Sequence, residues 1–368
     1  MTEGCWADYD NDGFLDVFLA TRNQTDDVLF RNIAGGGFER VSGPFDGNGG
    51  NARACAWGDA DGDGDLDIYV GNFIETDSDG NAQKQKNFLY LNNDDGTFSE
   101  VTGHILVNTR KLTYGLSWID FDYDGDQDLF ISNIGRTDQN FLYENRGNLE
   151  FVNRTDLSIS YDSIGPSKGH AWGDYDLDGD LDLFVANGTG TPDNRNFLYL
   201  NNGEGSFVKI SPEPIVEDNF TSAGAAWADY DMDGDLDLFV ASWGESDEDN
   251  RLYQNQTSGN NWLKIRLKGV QSNSFGIGAL ARLGYLVEGV EKIQTRVLLP
   301  KTGYASSNEP ILHFGLGTSE DITFLEITWP SGLVQRVEGP RINTFLVITE
   351  GQDSPAHLTS KDKDHDPS

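Results

Sequence analysis

Twenty aspartates fall at fixed offsets in five copies of one nine-residue pattern, D-x-D-x-D-G-x-x-D. The copies read DYDNDGFLD from Asp8, DADGDGDLD from Asp59, DFDYDGDQD from Asp120, DYDLDGDLD from Asp174 and DYDMDGDLD from Asp229. Positions 1, 3, 5 and 9 are the candidate ligands: Asp8, Asp10, Asp12 and Asp16, then Asp59, Asp61, Asp63 and Asp67. The other three sets are Asp120, Asp122, Asp124 and Asp128; Asp174, Asp176, Asp178 and Asp182; and Asp229, Asp231, Asp233 and Asp237. Position 6 is glycine throughout, as a sharp turn with positive φ requires if carboxylates on either side are to converge. Position 7 varies (Phe14, Asp65, Asp126, Asp180, Asp235), which suits a ligand supplied by backbone carbonyl. An all-oxygen set with neither Cys nor His selects a hard cation, calcium before magnesium or manganese, and about five ions. Without cations four bunched carboxylates repel, so a merely solvated acidic turn is the weaker reading.

The EF-hand shares the early spacing and the glycine, but it needs a bidentate Glu at position 12. Here that position holds Leu19, Val70, Ile131, Val185 and Val240. Each loop runs into an apolar, strand-forming segment such as LDIYVGN or LDLFVAN, so these are metal loops inside β-hairpins.

The loops start 51, 61, 54 and 55 residues apart, within a repeating phrase. A tryptophan stands two residues before each first aspartate: Trp6, Trp57, Trp118, Trp172 and Trp227. After the apolar strand come a variable polar loop and a third strand, DVLFRN, NFLYLNN, NFLYENR, NFLYLNN or NRLYQN. In the first four repeats a fourth strand follows: GFERVS, TFSEVT, EFVNRT and SFVKIS. Four short strands per unit, repeated radially, make propeller blades, with the tryptophans and Phe-Leu-Tyr strands as core between them.

These loops in this context resemble the FG-GAP (VCBS-type) repeats over residues 1–258. That resemblance places the family's metal ligands on the four aspartates of each loop. It implies an all-β, calcium-binding propeller with five readable blades. Propellers run from roughly four to eight blades, so a five-bladed ring and a longer ring lacking its first blades both fit. The opening GCWADYD is expected to lack a leading strand.

The acidic loops stop after Asp237, and strand-like segments WLKIRLKG, ILHFGLG, FLEITWPSG and TFLVITE follow among glycine-rich turns. They predict a small β-sandwich-like domain over 259–351, and NWLKIRLKG at 261–269 either begins it or completes the fifth blade. The string NWLKIRLKG…GIGALARL…GY…HFGLG…LEITWPSG resembles the ASPIC/UnbV domain, and the two regions together resemble the bacterial-type cartilage acidic protein family. Gly303, Tyr304, His313, Gly315, Gly317, Trp329 and Pro330 read as turn and packing residues, with His313 structural. Residues 352–368 are polar and are expected to be disordered.

The formal charge of −35 disfavours nucleic acid and anionic membrane as partners, even with five divalent ions bound. No stretch approaches the length of a membrane span, and MTEGCWADYD lacks the basic start and apolar centre of a secretory leader. Loops of this type nevertheless suit an extracellular, periplasmic or cell-surface location, where calcium is abundant. Cys5 and Cys55 lie three and four residues before their loops, so strand alternation points them to opposite faces and predicts free thiols. Sequons stand at Asn23, Asn153, Asn187, Asn219 and Asn255.

Two functions fit. In the first, calcium rigidifies a frame whose loops at 21–27, 72–86, 133–139, 187–195 and 242–250 contact an extracellular protein or glycan. Those loops carry Arg22, Lys84, Lys86, Arg136, Arg195 and Glu245. In the second, the propeller is a polysaccharide lyase or hydrolase. Its one catalytic candidate is His170, where the other repeats have Gly4, Cys55, Leu116 and Ala225. Oligomeric state is not determined at this level.

Overall fold

A computed structural model describes residues 3–358, apart from 35, 77–80, 136, 162–164, 189–193, 204, 244–248, 300 and 353. It is a β-propeller built from antiparallel sheets, followed by a β-sandwich. Blade 1 runs Glu3–Ala7, Asp16–Ala20, Val28–Ile33 and Gly37–Val41 from the inside outward. Blade 2 is Ala52–Gly58, Asp67–Asn72, Phe88–Asn92 and Phe98–Glu100, and blade 3 is Thr113–Ile119, Asp128–Asn133, Phe141–Asn145 and Phe151–Asn153. Blade 4 is Ser167–Gly173, Asp182–Asn187, Phe197–Asn201 and Phe207–Lys209. Blade 5 has three strands, Ser222–Ala228, Asp237–Ser242 and Arg251–Tyr253. Glu3–Ala7 pairs with Asp16–Ala20 over all five residues and so is the leading strand expected to be missing.

The cores lie between blades rather than within them. Four buried clusters join blades 1 and 2, 2 and 3, 3 and 4, and 4 and 5 in turn. The tryptophans tie this stack together. Trp57 Nε1 donates to the Cys5 carbonyl, Trp118 to Ala56, Trp172 to Ser117 Oγ and Trp227 to Ala171, each on the inner strand of the preceding blade. Trp6 has no preceding blade among the described residues; it is 52% exposed and its ring meets that of Phe38, itself 51% exposed. At the other end Phe239 and Leu252 of blade 5 are exposed. Single-turn helices at Ile105–Asn108, Ser158–Tyr161 and Pro214–Glu217 follow the fourth strands of blades 2 to 4. Four residues are too few for a helical period to show in sequence.

Cys5 and Cys55 form a disulfide, against the expectation of free thiols. Alternation does put them on opposite faces of their own blades. Stacked blades meet through opposite faces, however, so the forward side of blade 1 and the rear side of blade 2 face each other across one interface.

Asn261–Lys268 belongs to the C-terminal domain, pairing with Leu312–Gly317 and, in parallel, with Thr344–Thr349. A second sheet orders Val290–Val297, Leu280–Val287, Ile322–Thr328 and Val334–Glu338, and both sheets close on one core that includes Trp329 and Phe314. Ala356–Leu358, within the stretch expected to be disordered, adds an edge strand beside Thr344–Thr349. A sheet edge offers backbone partners even to a polar segment. Between the domains a hairpin, Lys301–Thr302 paired with Ser306–Ser307, packs on the inner strands of blades 3, 4 and 5. The fit is backbone to backbone: a Cβ on Gly303 would collide with the main chain of His170.

Candidate metal centres

Each acidic loop joins the first and second strands of a blade, and backbone hydrogen bonds hold its conformation. The position-9 aspartate is fixed by two amides. In blade 4, Asp182 Oδ2 accepts from Tyr175 N at 2.9 Å and Oδ1 accepts from Asn201 N at 2.9 Å. Asp16, Asp67, Asp128 and Asp237 repeat this arrangement. In loops 1, 2, 4 and 5 the first aspartate turns Oδ2 to the glycine amide at position 6, as in Asp8 to Gly13 and Asp174 to Gly179, both at 3.1 Å; Asp120 of the third loop does not. Gly179 stands at φ 107°, as the turn requires. Position 4 is also left-handed, including the bulky Tyr123, Leu177 and Met232 at φ 61–64°, a constraint sequence reading did not anticipate.

The result is five clusters in which one oxygen from each of positions 1, 3 and 9 lies within 4.8 Å of the others. They are Asp8, Asp10 and Asp16; Asp59, Asp61 and Asp67; Asp120, Asp122 and Asp128; Asp174, Asp176 and Asp182; and Asp229, Asp231 and Asp237. The position-5 aspartates, Asp12, Asp63, Asp124, Asp178 and Asp233, stand outside these clusters. Each turns Oδ1 to the amide of position 7. At position 7 the Phe14 side chain is exposed, whereas Asp65 and Asp235 are buried.

Electrostatically the clusters are unsatisfied as they stand. Burial pushes Asp67 and Asp174 up to about 8, and Asp16 and Asp120 to about 7, with neighbouring carboxylates adding to the rise. Asp128 and Asp182 are raised well above the usual carboxylate range for the same reason. Oxygens with no hydrogen-bond partner include Asp8 Oδ1, Asp10 Oδ1, both of Asp120, Asp122 Oδ1 and Asp174 Oδ1. Buried, converging, unpartnered carboxylate oxygens fit a hard divalent cation and little else.

The loops also hold one another. In blades 2 to 5 the side chain of an asparagine at or just beyond the end of the third strand reaches across to the preceding blade's loop. Asn92 Nδ2 donates to the Tyr9 carbonyl, Asn145 to Ala60, Asn201 to Phe121 and Asn255 to Tyr175, at 2.8–3.2 Å. Sequence reading passed over these asparagines, although their recurrence in LYLN and LYEN segments was the available signal. Asn187 and Asn255, both sequon residues, are buried in the folded chain.

His170 lies on the inner strand of blade 4. It is fully buried, Nε2 lies 2.8 Å from Ser117 Oγ, Nδ1 lies 3.2 Å from Ser132 Oγ, and burial pushes its pKa down to about 3. This is the residue that the lyase or hydrolase reading named. His313 Nε2 meets the Gly234 carbonyl at 2.9 Å, a structural contact to the fifth loop. Among the recognition candidates, Arg22 reaches the Tyr304 hydroxyl, Lys84 pairs with Asp138, Lys86 meets Asn108 and Arg195 pairs with Glu217. Arg136 and Glu245 lie outside the described residues. No described helix is long and apolar enough to cross a membrane.

A family model described as FG-GAP-like repeat matches residues 8–70, 76–131, 120–185 and 174–240, and one described as ASPIC and UnbV matches residues 269–355. Cartilage acidic protein 1 of Homo sapiens is 27% identical over 276 residues, covering 73% of this chain and 41% of its own length. Its Xenopus tropicalis counterpart is 29% identical over 272 residues, covering 71% and 41%. The chain thus spans about two-fifths of the length of these curated relatives. Among solved structures, an arginine-to-alanine triple mutant of AofleA from Arthrobotrys oligospora aligns at 12% identity and TM-score 0.33, covering 83% of this chain and 87% of that one. The Dos1 propeller aligns at 10% identity and TM-score 0.31, with 88% of each chain covered.

Proposed function

We propose, for a chain that belongs to the FG-GAP-like repeat family and carries an ASPIC and UnbV domain behind the repeats, a calcium-stabilised recognition role outside the cytoplasm. One observation carries the metal reading: five aspartate clusters drawn from the same three loop positions, with buried oxygens left unpartnered in several. The four aspartates of each loop supply the side-chain ligands and position 7 supplies a carbonyl, for about five calcium ions per chain. Two features support an extracellular or periplasmic setting. Sites of this kind fill where calcium is abundant, and the Cys5–Cys55 disulfide is suited to an oxidising compartment. The similarity to cartilage acidic protein 1 points the same way.

Recognition is assigned to the loops between second and third strands, at the opposite end of each blade from the metal. The axis itself is occupied by the Lys301–Ser307 hairpin, whose Tyr304 packs on Tyr114 with ring centroids 4.9 Å apart. The partner is a protein or a glycan. The test is retention of calcium-loaded protein on a glycan array and on a panel of extracellular proteins, repeated in chelator. Binding that survives chelation, or absence of binding from both panels, would reject the recognition role.

A further inference from the structure

The C-terminal domain presses on the acidic loops, and it treats the fourth and fifth differently. In both, Oδ2 of the first aspartate already accepts the glycine amide at 3.1 Å. To Asp174 of the fourth loop the C-terminal domain adds a neutral donor, Gly315 N at 2.8 Å. To Asp229 of the fifth it adds the Lys264 ammonium at 2.7 Å. The two side chains of this ion pair are 3% and 1% exposed. Among the described residues no other first-position aspartate has an ion-pair partner; in the first loop Arg31 pairs with Asp10 and Asp12, but its side chain is 44% exposed, and at the fourth loop Arg296 donates to the Gly179 carbonyl. Lys264 cannot swing clear. It sits mid-strand in Asn261–Lys268, flanked on both sides by paired strands, and its ammonium lies 4.9 Å from the Phe345 ring centroid.

A fixed positive charge beside a cation site lowers that site's affinity, and it does so most where water is excluded. We propose that Lys264 is the affinity-setting residue of the fifth metal centre, making it the weak, exchangeable site among the five. This rests on the reading that the loops hold divalent cations. Linkage runs both ways: an ion entering the fifth loop weakens the grip of Lys264, and with it the docking of the C-terminal domain on blade 5.

The experiment is calcium titration of the full chain by calorimetry, with bound ions counted by native mass spectrometry, for wild type and for Lys264→Met, Lys264→Gln and Lys264→Arg. In wild type the last ion is expected to bind at least about tenfold more weakly than the others. Lys264→Met, or Lys264→Gln should the methionine not fold, is expected to tighten that last site about tenfold while leaving the others within about twofold. Lys264→Arg, which keeps the charge, is expected to leave it weak. Five equally tight sites in wild type, or a last site indifferent to loss of the charge, would overturn the proposal while leaving the loops as metal sites. No bound calcium in any variant would overturn both.

Discussion

Asp174 shows how single residues make these centres. One oxygen is spent on the turn amide and on Gly315 N of the C-terminal domain, and the other is buried without a partner. An ion bound only by the folded chain stabilises it by about 2.7 kcal/mol at a hundredfold excess over its dissociation constant. Asp174→Asn is therefore expected to lose about one calcium per chain by native mass spectrometry, and roughly that much stability in calcium. An unchanged ion count would rule Asp174 out as a ligand. Away from the loops, Glu350 gives a pH prediction. Burial alone would raise its pKa, but donation from Ser331 and from the amides of Val270, Ser272 and Gln271 outweighs this and holds it down to about 2. The folded value lies below the unfolded one, about 4.3, so its contribution is present above that pH and is lost as pH falls toward 2. Glu350→Gln should flatten the acid limb of the stability profile between about pH 4.3 and 2; a limb of unchanged slope would contradict this.

At the scale of elements, the blade is a unit that finishes its hydrogen bonding on its neighbour. The tryptophan of the first strand and the asparagine of the third both donate to the preceding blade. Asn201→Ala leaves the Phe121 carbonyl buried without its donor, and a loss of about 1–3 kcal/mol in denaturant unfolding is expected. A loss below about 0.5 kcal/mol would show that the cross-blade bond is dispensable. The disulfide follows the same logic, since neither cysteine meets a partner until two blades are stacked. Strand identity and order were readable from the repeated phrase. The one-turn helices and the edge strand at Ala356–Leu358 were not, because neither carries a period or an apolar face long enough to register.

At the scale of the whole molecule, the proposed metal binding couples to assembly. Five independent sites at a hundredfold excess of free ion would contribute about 13 kcal/mol, as much as a typical domain's stability of about 5–15 kcal/mol. Excess chelator should lower the melting temperature by more than about ten degrees, with calcium restoring it. A melting curve indifferent to chelator would remove the ions from any structural role. On the same proposal the C-terminal domain is included, because it docks on backbone that the loops shape. Gly317 N donates to the Leu177 carbonyl at 2.7 Å, Arg296 to that of Gly179 at 2.9 Å, and Asn260, just before the domain's first strand, to that of Asp176 at 2.8 Å.

The repeats, the convergence of the acidic loops and the two-part organisation were all determined by local sequence. A metal loop closes within nine residues, and a strand declares itself by composition and by the turns around it. What only the tertiary structure decided were contacts between units distant in the chain: Cys5 with Cys55, each asparagine with the preceding loop, His170 between two serines, and Lys264 against Asp229. The physical reason is common to all four. Each depends on which faces meet when blades stack and domains dock, and alternation along a strand fixes a face without naming what lies opposite it.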